Sequence, residues 1–422
     1  MPGPECYCFS FRQRCLVPVF VLFFVLLTAC GPEADKFVAH RGALLEQTEL
    51  ATIPVAAADA MMSAYTSYGL AGLNAAYDVT AYKIVYSTPD ADGNLVSVSG
   101  LITAPVKDPG ATSPLISLQH GTLFLNKAPS SMAGGAETAP EVSYADIAVM
   151  FASQGYVVAA ANYIGYGDTS GVMHPFIHAR TLASTTVDML HATATLATRN
   201  QLKLNGQLFL AGYSEGGYAT LAAQRSLEND FAVEFPITAS APAAGPFDMS
   251  TTAMAIVAST SLPVPAYVGF VLKAYDTAYN FNRIPDYFQA PYVDAINNSF
   301  DGTLNKEEIN ALLTTVTADL FNPAFRADFL GSGEGPLKSA IAENDIYNWA
   351  PVTMTRFFHG PDDVSVPYFN TPLAVASMQA NGAADVDSVD CYLGGLPTTH
   401  SNCFFPYFTY ANSLFSTMAT DL

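Results

Sequence analysis

The sequence predicts an α/β fold: a doubly wound, mostly parallel sheet with a helical cap inserted late in the chain. Three observations carry this. From residue 114 onward, short β-branched runs alternate with helical stretches, the pattern of parallel strands joined by crossover helices. Ahead of them, two strand-forming runs flank Asp90-Ala91-Asp92-Gly93, a turn that reads as an antiparallel hairpin. Between two late strands lie residues 249–345, rich in tyrosine, phenylalanine and proline. They read as several helices with no strand, an insertion placed to cover the carboxyl edge of the sheet.

Each element has its own signal. Residues 31–80 read as a tether followed by helical material (VAAADAMMSAYTSYG). YKIVYST and LVSVSGLITAP form the hairpin, and PLISLQ is a buried strand. DIAVMFASQG is a helix closed by glycine, and YVVAAANY is the next strand. The long helical stretch ARTLASTTVDMLHATATLATRN precedes the strand QLFLAG, and a helix follows Gly217. PITASAPAA, VTMTRFFH and LAVASMQANG continue the alternation, and FFPYFTYANSLFSTMA closes the chain as a helix. The core is therefore expected over 31–248 and 346–422, with the cap over 249–345. Inside the cap, DGTLNKEEINALL has the outline of a calcium loop but fails as one. Lys306 stands where glycine is needed and Leu312 where glutamate is needed. Asn305 followed by Glu308 instead reads as a helix capping box.

Composition narrows the function. The 422 residues are 50% hydrophobic and 12% aromatic, which is globular. A net charge of −20, with only 17 basic residues and no basic run, argues against a nucleic-acid partner. The acidity suits an exported protein with an uncharged substrate. The first thirty residues stand apart from the fold. Arg12 and Arg14 precede the apolar run 16–27, which is short for a membrane span, and then Thr28-Ala29-Cys30. This is the layout of a secretory signal over 1–30. Leu27-Thr28-Ala29-Cys30 also resembles the bacterial lipobox, which implies lipidation at Cys30 and anchoring at the cell envelope; ordinary secretion is the alternative. Cys6, Cys8 and Cys15 would leave with the signal. Cys391 and Cys403 remain as an even pair in an oxidising compartment, so they are expected to form a disulfide, worth about 3 kcal/mol.

The chemistry centres on Gly212-Tyr213-Ser214-Glu215-Gly216-Gly217, between a strand and a helix. A turn that presents a serine at its tip is so tight that the residues two before and two after it must be tiny. Here they are Gly212 and Gly216. Such a serine needs a base and an orienting acid. In this chain order only His359 and His400 follow Ser214. His359 ends a strand, ahead of any acid on the adjoining loop, whereas His400 lies in a loop before the last helix. The acid is expected on loop 359–367, which carries Asp362 and Asp363 and resembles a known family pattern, Gly-x-x-Asp-x-x-Val-Pro, that implies Asp363 over Asp362. For an oxyanion, the amide of Glu215 supplies one donor. The His120-Gly121-Thr122 loop after a buried strand supplies the second, at Thr122. Cys391, His400 and Cys403 offer three zinc-ligand types in one segment, but no fourth ligand is spaced with them.

These stretches, with Asn162-Tyr163-Ile164-Gly165-Tyr166-Gly167, His174-Pro175-Phe176 and Ala244-Gly245-Pro246-Phe247-Asp248, resemble the α/β-hydrolases, and within them the secretory-lipase family. The resemblance spans residues 80–250 and 345–405. It implies a carboxylic ester hydrolase, esterase or lipase, working through an acyl-enzyme on Ser214, His400 and Asp363. It implies a small-molecule or lipid ester as substrate and no metal or organic cofactor. Tyr163, Tyr166 and His174 either shape the pocket or pack their loop. The alternatives are a serine peptidase of the same fold and a non-catalytic surface lipoprotein that uses the fold for binding.

Overall fold

The computed structural model describes residues 40–125 and 144–422. The expected signal segment 1–30, the lipobox at Cys30 and the first residues of the expected core lie outside the described residues. Among the described residues, nine strands form one sheet. They are β1 (Leu44–Ile53), β2 (Val79–Pro89), β3 (Leu95–Pro105), β4 (Thr112–Gln119), β5 (Val157–Ala161), β6 (Lys203–Tyr213), β7 (Ile237–Ala243), β8 (Thr355–His359) and β9 (Val386–Asp390). Their spatial order is β1-β2-β3-β5-β4-β6-β7-β8-β9. β1, β2 and β3 are antiparallel, β3 meets β5 antiparallel, and the strands from β5 to β9 run parallel. The Asp90–Asn94 turn closes the β2–β3 hairpin, with Asp90 Oδ1 accepting from the amides of Asp92 and Asn94.

Helices α1 (Val55–Ala64), α2 (Tyr144–Ser153), α3 (Ala179–Arg199) and α4 (Glu215–Asp230) precede the insertion. Eight helices then follow between β7 and β8: α5 (Met249–Ala258), α6 (Pro265–Ala278), α7 (Ile284–Tyr287), α8 (Ala290–Asn298), α9 (Lys306–Leu312), α10 (Thr317–Leu320), α11 (Pro323–Leu330) and α12 (Gly335–Glu343). This is the inserted helical cap. Asn305 and Glu308 form the reciprocal capping box at the start of α9. α13 (Asn370–Ala380) and α14 (Phe404–Ser416) complete the chain.

The central strands are apolar on both faces, as burial by helices on both sides demands. Along β6, Leu208 and Leu210 join a core layer with α3 and α4. Phe209, Ala211 and Tyr213 point the other way, into a layer with α2 and α14. Aromatic residues of the cap, among them Phe270 and Phe325, belong to the first layer.

Two strands differ from the sequence reading. Residues 44–53, read as part of a tether, form edge strand β1, which is mostly exposed along its length. Such a strand lacks the apolar alternation that marks a half-buried one. β9 is the opposite edge, also largely exposed, and its VDSVD sequence carries no apolar run.

Helix α4 packs against β7 at contact distance. A Cβ built on Gly217 would lie 1.9 Å from the carbonyl oxygen of Ala243, so backbone must move to admit one. Gly217→Ala is therefore expected to destabilise the fold by about 3 kcal/mol or more. Gly171→Ala, whose Cβ meets nothing within 4 Å, is expected to be neutral. Thermal unfolding of the two variants beside the parent checks this.

Candidate active site

The turn from β6 to α4 places Ser214 at its tip. Ser214 has φ 63° and ψ −125°, a strained conformation for a residue with a side chain. The turn closes because its neighbours have no side chains. A Cβ on Gly212 would sit 2.3 Å from the Gly216 carbonyl oxygen, and one on Gly216 would sit 2.2 Å from that of Gln119. The Ser214 amide donates to Ala243 O at 2.9 Å, which seats the turn on the end of β7. From α14, Tyr407 holds both strands: Gly212 N donates to its hydroxyl at 2.7 Å, and that hydroxyl donates to Ala241 O at 2.6 Å.

Ser214 meets the other two expected residues. Its Oγ lies 2.8 Å from His400 Nε2. His400 Nδ1 lies 2.5 Å from Asp363 Oδ2. An ionised Asp363 can only accept, so Nδ1 carries the proton and Nε2 is free to accept from the serine. Ser214 and His400, 186 positions apart in sequence, are thus brought within a single hydrogen bond. Asp363 also accepts from the amides of Ser365 and Val366 through Oδ1. Burial alone would raise its pKa. The facing His400 and the hydrogen bonds from His359 and His400 outweigh it and hold the carboxyl below the usual carboxylate range.

Glu215 is the first residue of α4, so its amide is one of the donors a helix start leaves without an intrahelical acceptor. Gly121 crosses the turn closely: a Cβ there would lie 3.6 Å from Ser214 Cβ. Thr122, Ser214, Glu215 and His400 line one cavity. Its remaining wall is almost wholly apolar and comes largely from the cap, with Met249, Ile256, Val268, Val271, Phe325 and Phe329 among the residues facing it.

Several supporting residues escaped the sequence reading. His359 is fully buried, with Nε2 3.1 Å from Asp363 Oδ2 and Nδ1 2.8 Å from Thr371 Oγ1. Asp362 accepts from both the amide and the hydroxyl of Thr398, at 2.9 Å each, and so ties the acid loop to the histidine loop. Tyr213 donates to the His400 carbonyl at 2.7 Å. Cys391 and Cys403 form the expected disulfide across the same loop. The disulfide was expected, and His359 lies four residues from Asp363 without a pattern that pairs them; Asp362–Thr398 and Tyr213–His400 join residues distant in sequence. His174, left open between pocket and packing, is buried with Nε2 2.6 Å from Glu215 Oε1.

The sheet, the helical cap and this constellation define an α/β-hydrolase. Comparisons with known proteins place the likeness more closely. The family model of the prolyl oligopeptidase family matches residues 141–258. No curated protein matches. Among solved structures, the rice cell wall degrading esterase LipA from Xanthomonas oryzae is 26% identical, with a TM-score of 0.77 over 90% of this chain and 100% of that one. A Legionella pneumophila protein is 25% identical, with a TM-score of 0.77 over 89% of this chain and 97% of that one. The closed state of Candida antarctica lipase A shares the fold at 16% identity, with a TM-score of 0.64 over 91% of this chain and 84% of that one. The chain is a hydrolase of this fold, similar to esterases.

The depressed pKa of Asp363 has a consequence for stability. Its carboxylate is better held in the folded state than in the unfolded chain, where a pKa near 3.9 is expected. The stabilisation is complete above that unfolded value and is lost as pH falls toward the folded one. The gap in unfolding temperature between the parent and Asp363→Asn is expected to narrow by roughly a third between pH 6 and pH 3, and further below that. Thermal melts of both proteins across that range test it.

Proposed function

We propose that this protein is an exported serine carboxylic ester hydrolase, an esterase or lipase, in which Ser214, His400 and Asp363 act as the catalytic triad. The observation that carries the reading is the hydrogen-bond chain Ser214–His400–Asp363 opening on an apolar cavity under the helical cap. Ser214 Oγ attacks the ester carbonyl as His400 Nε2 takes its proton. The amides of Glu215 and Thr122 receive the oxyanion. His400 then returns the proton to the leaving alcohol, and the acyl group stays on Ser214. Water, deprotonated by His400, attacks the acyl-enzyme and frees the acid. Asp363 holds the imidazole tautomer and stabilises the imidazolium without taking the proton.

The apolar wall suits an aliphatic or lipid acyl group, which would gain about 25 cal/mol per Å² buried. In this reading 249–345 is the substrate-covering cap, and 31–248 with 346–422 is the catalytic body. Export with lipidation at Cys30 would hold the enzyme at the bacterial envelope, and the disulfide agrees with an oxidising compartment.

The prolyl oligopeptidase match keeps a peptidase reading in view. A peptidase that selects a substrate amine needs free carboxylates in its pocket. The carboxylate among the cavity-lining residues belongs to Glu215, and it is engaged by His174. The surrounding wall favours an ester with an apolar acyl group. A p-nitrophenyl ester series from short to long acyl chains tests the proposal with the signal-free protein. Turnover is expected for the parent and a loss of about 10⁴-fold or more in kcat for Ser214→Ala. Turnover that survives in Ser214→Ala, or cleavage of aminoacyl amides in place of esters, would overturn it.

A further inference from the structure

A carboxylate stands on the residue that donates to the oxyanion. Glu215 has a fully buried side chain, and among the described residues its Oε2 has no hydrogen-bond partner. A net negative charge there would oppose the negative charge that develops on the substrate oxygen beside the same residue's amide. Something must neutralise it.

The groups around Glu215 leave one candidate. Burial lowers the pKa of His120 to about 4, so its ring is neutral at ordinary pH. Tyr144 and Tyr163 are neutral as well, because burial raises both. His174 is the remaining group. Its Nδ1 lies 2.6 Å from the carbonyl oxygen of Ile164, which can only accept, so Nδ1 carries a proton. Its Nε2 lies 2.6 Å from Glu215 Oε1, so a second proton sits between these two atoms. Whether that proton belongs to the ring or to the carboxyl, the pair is neutral overall.

The same pair joins the two halves of the oxyanion site. His174 lies on the loop after β5, which also carries Tyr163 and Tyr166. Those tyrosines donate to the carbonyls of His120 and Leu123, at 3.2 and 2.5 Å, on either side of Gly121-Thr122. One loop therefore grips both the Thr122 segment and, through His174, the Glu215 side chain.

We propose that His174 is a positioning residue for the oxyanion site: it neutralises Glu215 beside the developing charge and ties the Glu215 amide to the loop that holds Thr122. This inference rests on the ester-hydrolase reading above. Its test compares His174→Gln, the double variant His174→Gln/Glu215→Gln, Glu215→Gln and Glu215→Ala. The readouts are kcat and KM on a p-nitrophenyl ester and the rate at which a fluorophosphonate labels Ser214.

His174→Gln, which leaves the carboxyl without its imidazole, is expected to lose about 30-fold in kcat, with KM within about threefold. Adding Glu215→Gln removes the charge and is expected to recover about tenfold or more in kcat. Glu215→Gln alone, which can donate to a neutral His174 ring, should exceed Glu215→Ala by a similar factor. An unchanged kcat in His174→Gln, or a double variant no faster than His174→Gln, would overturn the proposal. If His174→Gln does not fold, Glu215→Gln as slow as Glu215→Ala overturns it. Should the parent hydrolyse no ester, the labelling rates carry the same comparison, so failure of the substrate reading and failure of this inference remain distinct.

Discussion

The site depends on one steric constraint, the close approach of backbone around the turn that follows β6. Gly212, Gly216 and Gly217 each face a carbonyl oxygen of Gly216, Gln119 or Ala243 nearer than any Cβ tolerates. Those three contacts press the start of α4 against the ends of β4, β6 and β7. The compression holds Ser214 at φ 63°, a conformation that isolated chain would abandon. It also brings the first amide of α4 and the Gly121 crossing to the same place as the serine oxygen. The proposed nucleophile and the proposed oxyanion donor are therefore one structural event, and the large core layers on both faces of the sheet hold the strain in place.

His400 and Asp363, the proposed base and acid, reach the serine on a separate piece of chain, after the cap. Their accuracy comes from cross-links between two loops. Asp362 clamps Thr398, Tyr213 holds the carbonyl of His400, and the Cys391–Cys403 bond fastens the loop to the start of α14. Asp363 accepts four hydrogen bonds, two from amides and two from histidines. It enters the site already ionised and oriented, so little reorganisation is left for the moment of reaction.

Sequence reading reached the parts of this that are local. Gly212 and Gly216 flank the serine at fixed spacing, the Asp-Gly hairpin is four residues, and the Asn305–Glu308 cap is a single turn. The alternation of apolar strands and helices was legible because burial on both faces writes itself into β-branched runs. Edge strands β1 and β9 were not, since pairing on one side and solvent on the other leave no such run. Nor were His359 on Asp363, Asp362 on Thr398 or His174 on Glu215. Asp362–Thr398 and His174–Glu215 join residues that only the fold brings together; His359 and Asp363 are neighbours on one loop, but a histidine alone in a sequence says nothing of its partner. Asp362 shows the cost of reading one loop at a time. Passed over in favour of Asp363, it ties the loop of Asp363 to the loop of His400 through Thr398.

The segment that matches the prolyl oligopeptidase family, 141–258, contains the strained turn and the strands around it. It holds neither Asp363 nor His400 and ends within α5, at the start of the cap. Such a match reports how a nucleophile is presented, and that geometry serves esters and amides alike. What is cleaved is decided by what can lie beside Ser214, and there the walls come from α5, α6 and α11, with apolar side chains at nearly every position. A peptide entering that cavity would leave its own amides without partners, at a cost of about 1 to 3 kcal/mol each. An acyl chain carries no such groups. In the reading proposed above, the insertion between β7 and β8, rather than the turn it covers, is the part of the chain that would turn a shared nucleophile toward esters.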